Sequence, residues 1–293
     1  MFTSLGEAVE QAEREQISLG ELALRSEAAD GVRSREEVEV ALQRALVVMR
    51  QATARGLPGD LRSVSGLVGG DAARVDRGRG PLAGTVFTAA LAAALAVQEV
   101  NAAMGVIVAA PTAGGAGVLP GVLLGLSRYR GGSDTELVRA LATAGLVGAV
   151  VAVRASLSGA EGGCQAETGA AAGMAAAAGT ELLGGSPSEA AHACALTMQG
   201  SLGLVCDPLG GLVEVPCVYR NATGAAMALA GIEMALAGVQ FPIPVDEVID
   251  TMGEIGRTMD VRYRETAGGG LAATPTGRKL ARERLVQLKG KSQ

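Results

Sequence analysis

The apolar positions of this chain follow a helical repeat almost from its first residue. Leu5, Val9 and Ala12 fall on one stripe, and Val38, Leu42, Ala45, Leu46 and Met49 on another, spaced at helical intervals with charged residues between them. Ser34, followed three residues later by Glu37, reads as a capping box at the start of the second stripe. Residues 1–56 are therefore expected to form two or three amphipathic helices, a segment suited to packing or to subunit contact. Beyond residue 57 the helical stretches lose their polar faces. Thr85–Ala103, Ser133–Val153, Ala170–Gly179 and Ala222–Ala237 are built from Ala, Val, Leu and Gly, as buried helices are. Ser186, Pro187 and Glu189 predict a capped helix running to Gln199. An amphipathic helix is expected from about Val245, and Thr274–Pro275 is expected to start a last short helix carrying Lys279, Lys289 and Lys291. Glycine-rich stretches at 56–84 and 111–117 separate these runs, where glycine permits positive φ and close backbone approach. No internal repeat or long linker divides the chain. The expected architecture is mostly α. It is a compact bundle of Ala/Gly-rich helices spanning 1–293 as one domain, with 1–56 as an N-terminal helical segment, 57–293 as the core, and Gly/Pro-rich loops converging on one site.

Composition sharpens this picture. Of 293 residues 48% are apolar, yet only 2% are aromatic, there is no Trp, and 43 are glycine. Small side chains let helices approach closely. The net charge of −5, with no basic stripe interleaved with aromatics, argues against a nucleic-acid surface. Thr85–Ala110 is interrupted by Gln98, Glu99 and Asn101, and Leu137–Val153 is short and carries Arg139, so both read as core helices and no membrane span is expected. The N-terminal stretch lacks the basic and apolar regions of an export signal. A cytoplasmic, reducing setting follows, in which cysteines favour metal binding over disulfides.

All four cysteines fall between Ala155 and Asn221. Cys194 lies inside a helical pattern, and His192, two residues away, does not share its face; both read as structural. Cys164, Cys206 and Cys217 lie in Gly- and Pro-rich turns beside acidic residues, on three separate loops. No CxxC knuckle of the kind common in structural zinc sites is present. Widely spaced loops suit the corners of a cubane iron–sulfur cluster, and three protein ligands leave one iron open as a Lewis acid. From spacing alone a cluster, a zinc ion and unligated core thiols all stay open. The PTAGGAG stretch, 111–117, precedes an apolar run and reads either as an anion-binding helix start or as a tight helix–helix turn. It lacks the P-loop Lys and the dinucleotide glycine spacing. Lysine occurs only at 279, 289 and 291, which argues against pyridoxal phosphate and its Schiff-base lysine.

ASLSGAEGGCQAETG, GLVCDPLGGLVEVPCVYRNA, VNAAMGVIVAAPTAGGAGVLPG, SVSGLVGGDA and RETAGGGLAATPTG, in this chain's own residues, together resemble the α subunit of iron–sulfur-dependent L-serine dehydratase. The resemblance runs over nearly the whole chain. It implies a [4Fe–4S] cluster on Cys164, Cys206 and Cys217, and conversion of L-serine to pyruvate and ammonia with the open iron as Lewis acid for the substrate hydroxyl. It also implies a β subunit whose Ser-Ser-His-Thr motif helps build the active site. This chain has no such motif, so the catalytic base is expected from the partner, with Glu161 and Asp71 as candidates here. Substrate contacts are expected at Ser65, Gly69, Gly70, Asp71, Asn101, Thr112, Ala113 and Gly114. Val68 stands where relatives often carry Thr, which puts a hydroxyl contact there in doubt. The chain ends KGKSQ, without the terminal Cys of some single-chain relatives, so the open iron is expected to be capped by water or by the partner. Homo-oligomerisation is compatible with this reading. Related β-elimination on L-threonine or L-cysteine, and a non-catalytic cluster-binding subunit, are the competing expectations.

Overall fold

The computed structural model describes residues 2–29 and 31–290, with side chains as far as Glu283. The last lysine of the tail, Lys291, lies outside the described residues. The helices in chain order are α1 (Leu5–Glu15), α2 (Leu19–Ala29), α3 (Arg35–Gly56), α4 (Asp71–Asp76), α5 (Val86–Ala102), α6 (Val118–Arg130), α7 (Asp134–Arg154) and α8 (Gly159–Gly162). A π-turn (Gln165–Gly169) then leads into α9 (Ala170–Leu182), followed by α10 (Pro187–Met198), α11 (Cys217–Leu236), α12 (Val245–Thr258) and α13 (Pro275–Gly290). The molecule is mostly α. Among the described residues its only β pairing is one parallel bridge, Cys206 with Arg264.

Local chemistry sets the helix starts. At α3 the Glu37 amide donates to Ser34 Oγ at 3.2 Å, while the Glu37 carboxylate accepts from the Ser34 amide at 2.7 Å. The same reciprocal box opens α7 with Ser133 and Glu136, and α10 with Ser186 and Glu189. One start differs from expectation. The helix predicted from Ala222 begins at Cys217, because Glu214 and Pro216 carbonyls already accept from the amides of Val218 (2.9 Å) and Arg220 (3.0 Å). The polar run VYRN, read from sequence as loop, is the first turn of α11.

Helix α9 is the centre of the bundle. Ala170–Ala172 and Ala175–Ala178 are fully buried, and α6, α7, α10 and α11 surround them. Helix α5 packs against α3, α4, α6 and α11. Contact there is backbone to backbone: a Cβ on Gly56 would meet the Ala96 carbonyl at 2.2 Å, and one on Gly121 would meet the Ala90 carbonyl at 2.8 Å. Helices α2 and α3 lie over α7. The start of α1 is fastened to α12 by Asp246, which accepts from Ser4 Oγ (2.6 Å), Leu5 N (2.8 Å) and Gly6 N (3.1 Å). Among the described residues α7 alone is long and apolar enough to cross a membrane, and 67% of its apolar window is buried inside the fold. That burial is the pattern of a core helix.

Candidate active site

Three elements deliver the three predicted thiols. Cys164 immediately precedes the π-turn, whose Gln165 is fully buried and anchors it in two directions. Its side-chain Nε2 donates to Met252 O of α12 (3.1 Å) and its Oε1 accepts from Gly203 N (2.8 Å). Cys206 lies in the bridge, donating its amide to Tyr263 O and accepting from Glu265 N, both at 2.8 Å. Cys217 is the first residue of α11, not a turn residue as the sequence suggested. All three are free and buried. Burial pushes each thiol up, Cys217 to about 12, and each of Cys206 and Cys217 is raised further by Cys164. Thr168 Oγ1, at 3.1 Å, and Arg220 act against that rise at Cys164 and favour its thiolate. Cys194 sits elsewhere, fully buried in α10 against Met198 Sδ at 3.6 Å. His192 Nδ1 accepts from the Phe241 amide at 3.3 Å, a structural hydrogen bond.

A carboxylate that the sequence reading passed over borders the thiols. Glu167 is 9% exposed, accepts from Thr112 Oγ1 at 2.8 Å and faces Cys206 Sγ at 3.9 Å. Burial pushes its carboxyl above the ordinary range. Gly159 and Gly114 leave room for it. A Cβ on either would lie 2.7 Å from Glu167 Oε2, and one on Gly159 also 3.1 Å from Cys206 Sγ. Arg220 stands behind Cys164, its guanidinium 2.8 Å from the buried Asp207 carboxylate and 2.7 Å from Val205 O. Asp207 also accepts from Leu271 N at 2.6 Å. That contact explains a glycine in the RETAGGGL stretch, since a Cβ on Gly270 (φ 57°) would strike Asp207 Oδ2 at 2.2 Å.

The predicted substrate residues separate into two groups. Thr112, Ala113 and Gly114 are drawn onto the thiol site. Asn221, fully buried one turn into α11, donates to Gly114 O (2.7 Å) and accepts from Gly117 N (2.9 Å), clamping the loop against the Cys217 turn. Gln98 and Asn101 donate to Ala113 O at 2.8 and 3.2 Å. The second group is occupied by protein partners. Ser65 gives its amide (2.9 Å) and its hydroxyl to buried Glu214. Gly70, Asp71 and Ala72 give their amides to Glu99 at 2.9, 2.6 and 3.0 Å. Gly69, at φ 144°, passes so close to Leu61 O that a Cβ would lie 2.2 Å from it. Val68 is buried among Leu95, Ala96 and Val218 as core.

Neither candidate base is placed against a thiol by any hydrogen bond. Asp71 is held by Arg74 and by Tyr219 Oη at 3.2 Å. Glu161 is exposed and accepts from Ser156 Oγ at 2.6 Å. The residues missed, Glu99, Glu167, Glu214, Arg220 and Asn221, share one signal in the sequence. Each is a polar residue inside an apolar or helical stretch, where burial demands a partner. Among the described residues no three His, Cys, Asp or Glu donors converge tightly enough for a single metal ion.

The family model described as serine dehydratase alpha chain matches residues 10–272. A probable L-serine dehydratase, alpha chain, of Bacillus subtilis (strain 168) is 47% identical over 286 residues, covering 97% of this chain and 95% of that protein. The L-serine dehydratase alpha chain of Peptoniphilus asaccharolyticus is 38% identical over 291 residues, covering 98% and 99%. L-serine dehydratase TdcG of Escherichia coli (strain K12) is 39% identical over 286 residues, which make up 92% of this chain but 61% of that longer protein.

Proposed function

This chain belongs to the serine dehydratase alpha-chain family, and on that premise we propose that it converts L-serine to pyruvate and ammonia as one chain of a two-chain cytoplasmic enzyme. The observation that carries the reading is three free, buried thiols from three elements near enough to raise one another, with Glu167 facing Cys206. Thiolates are soft donors suited to iron–sulfur clusters. The glycine at 159 keeps the space beside Cys206 Sγ clear. Cys164, Cys206 and Cys217 would hold a [4Fe–4S] cluster, which when bound supplies a Lewis acid for departure of the serine hydroxyl.

The remaining roles fall to this chain's side chains. Arg220 lies beside Cys164 and offsets thiolate charge in a buried setting. Thr112 fixes the Glu167 carboxyl, and Glu167 Oε2 is this chain's group for holding or moving a proton beside the thiols. Asn221 keeps the Gly114 loop against the site, which excludes water from that wall. The partner completes the site. The Bacillus subtilis and Peptoniphilus asaccharolyticus relatives are named alpha chains, and the Escherichia coli relative carries further sequence beyond the match.

Anaerobic reconstitution tests the reading. About four irons and four sulfides per chain with broad visible absorption are expected, and pyruvate from L-serine once a β-type chain is added. One zinc per colourless chain would overturn the cofactor. A loaded chain that stays inactive with its partner would make it a non-catalytic cluster subunit, and L-threonine and L-cysteine run in parallel separate the related eliminations.

A further inference from the structure

Helix α5 ends in an uncommon way. Met104, at φ 62°, takes the left-handed position that glycine or asparagine usually fills, and the Gly105 amide donates back to Val100 O at 2.8 Å. The chain then runs from Gly105 to Ala109 without helix, turn or bend. Among the described residues, nothing hydrogen-bonds to the amides or carbonyls of Val106–Ala110. Val and Ile are strand formers, so this is an unpaired strand in an otherwise helical molecule. One side of it is held. Ile107 packs with Ala52, Val97 and Val100, and Val108 and Ala110 pack against the main core. The other side is open and apolar. Met104 is 82% exposed and Val106 77%, and Val64, whose amide donates to Ala102 O, is 41% exposed. No charged residue lies between Glu99 and Arg128, so the segment lacks the charges that usually protect a free strand edge. Water can serve open backbone groups, but it does not account for apolar side chains concentrated around them.

We propose that Val106–Ala110 is the seat of an edge strand from the enzyme's second chain, added by main-chain pairing. The inference rests on the two-chain reading above. A strand supplies the donors and acceptors that this backbone lacks, and apolar side chains on it cover Met104 and Val106. The described residues of this chain form no strand pair beyond the single Cys206–Arg264 bridge, so a second copy has only the same segment to offer. The position gives the docking a purpose. Ala110 lies two residues before Thr112, about 7 Å along an extended chain, and Thr112 holds Glu167 beside Cys206. A partner seated here stands next to the Thr112–Glu167 wall of the site.

Hydrogen exchange read residue by residue, on this chain alone and in complex with the β-type chain of the reconstitution, tests the docking. Alternate amides of Val106–Ala110 are expected to slow in the complex, because a strand added to one edge meets every second amide. Val106→Lys and Ala109→Lys alter exposed residues. Each is expected to weaken association about tenfold in sedimentation, with the iron content of this chain unchanged. If the two chains form no complex, the two-chain reading fails and this inference with it. A complex that makes pyruvate while the segment exchanges freely, or that tolerates both lysines, overturns this inference and leaves the reading intact. Protection of the same amides in the chain alone, growing with its concentration, assigns the seat to a second copy and overturns the partner strand.

Discussion

Asn221 shows how much one buried amide can organise. It joins the Gly114 loop, Gly117 at the start of α6 and the Cys217 carbonyl, so three segments meet at one side chain. Cys164→Ser, Cys206→Ser and Cys217→Ser are each expected to lose iron on reconstitution, read by iron and sulfide analysis. Cys194→Ser, in α10 beside Met198, is expected to retain it, at a stability cost of about 1–3 kcal/mol for a buried hydroxyl. Iron loss in the Cys194 variant would disprove the division of the cysteines. Glu167→Gln keeps the size and the Thr112 contact but cannot move a proton. Its kcat is expected to fall about 10²–10⁴-fold with iron content unchanged. The thiol trio was legible because cysteines are rare and clustered. Glu167 was not, because it lies inside the same quoted motif as Cys164 and only the π-turn shows which way it faces. Glu161 and Asp71, the carboxylates offered as bases should the partner supply none, hydrogen-bond to Ser156 and Tyr219 respectively.

At the scale of elements, helix starts were readable and helix contacts were not. Ser34, Ser133 and Ser186 cap their helices by local chemistry that needs no tertiary knowledge. The first turn of α11 depends on a partner for every polar side chain it buries, which sequence alone does not supply. Contacts between helices rest on glycines whose neighbours lie far along the chain. Gly56→Ala would drive a Cβ into the Ala96 carbonyl, and a loss of about 3 kcal/mol in thermal or denaturant unfolding is expected. Helices α2 and α3 are joined by Glu21, which accepts from Arg35 at 2.7 and 2.8 Å and from Arg25 at 2.8 Å. The Arg35 guanidinium holds the Glu21 carboxyl down from 4.5 to about 2. A lowered folded value stabilises the protein above the unfolded pKa and ceases to do so as pH falls through the folded one. Glu21→Gln is therefore expected to cost about 1 kcal/mol above pH 5, a surface-pair magnitude. The difference from wild type should shrink between pH 4.5 and 2 and vanish below. Paired urea melts across that range measure it, and a pH-independent difference would assign the effect to packing.

The whole molecule is organised so that distant stretches of chain complete one another. Cys206 is held by Tyr263 and Glu265, and Asp207 by Leu271, so the segment after α12 closes over the segment before α11. That clasp has a consequence for biosynthesis. All four cysteines leave the ribosome well before the residues that shelter Cys206 and orient Arg220 through Asp207. During that interval the thiols belong to a half-built bundle, open to oxidants and to adventitious metals. The backbone partners of Cys206 become available only once the turn at Arg264 has been made and docked.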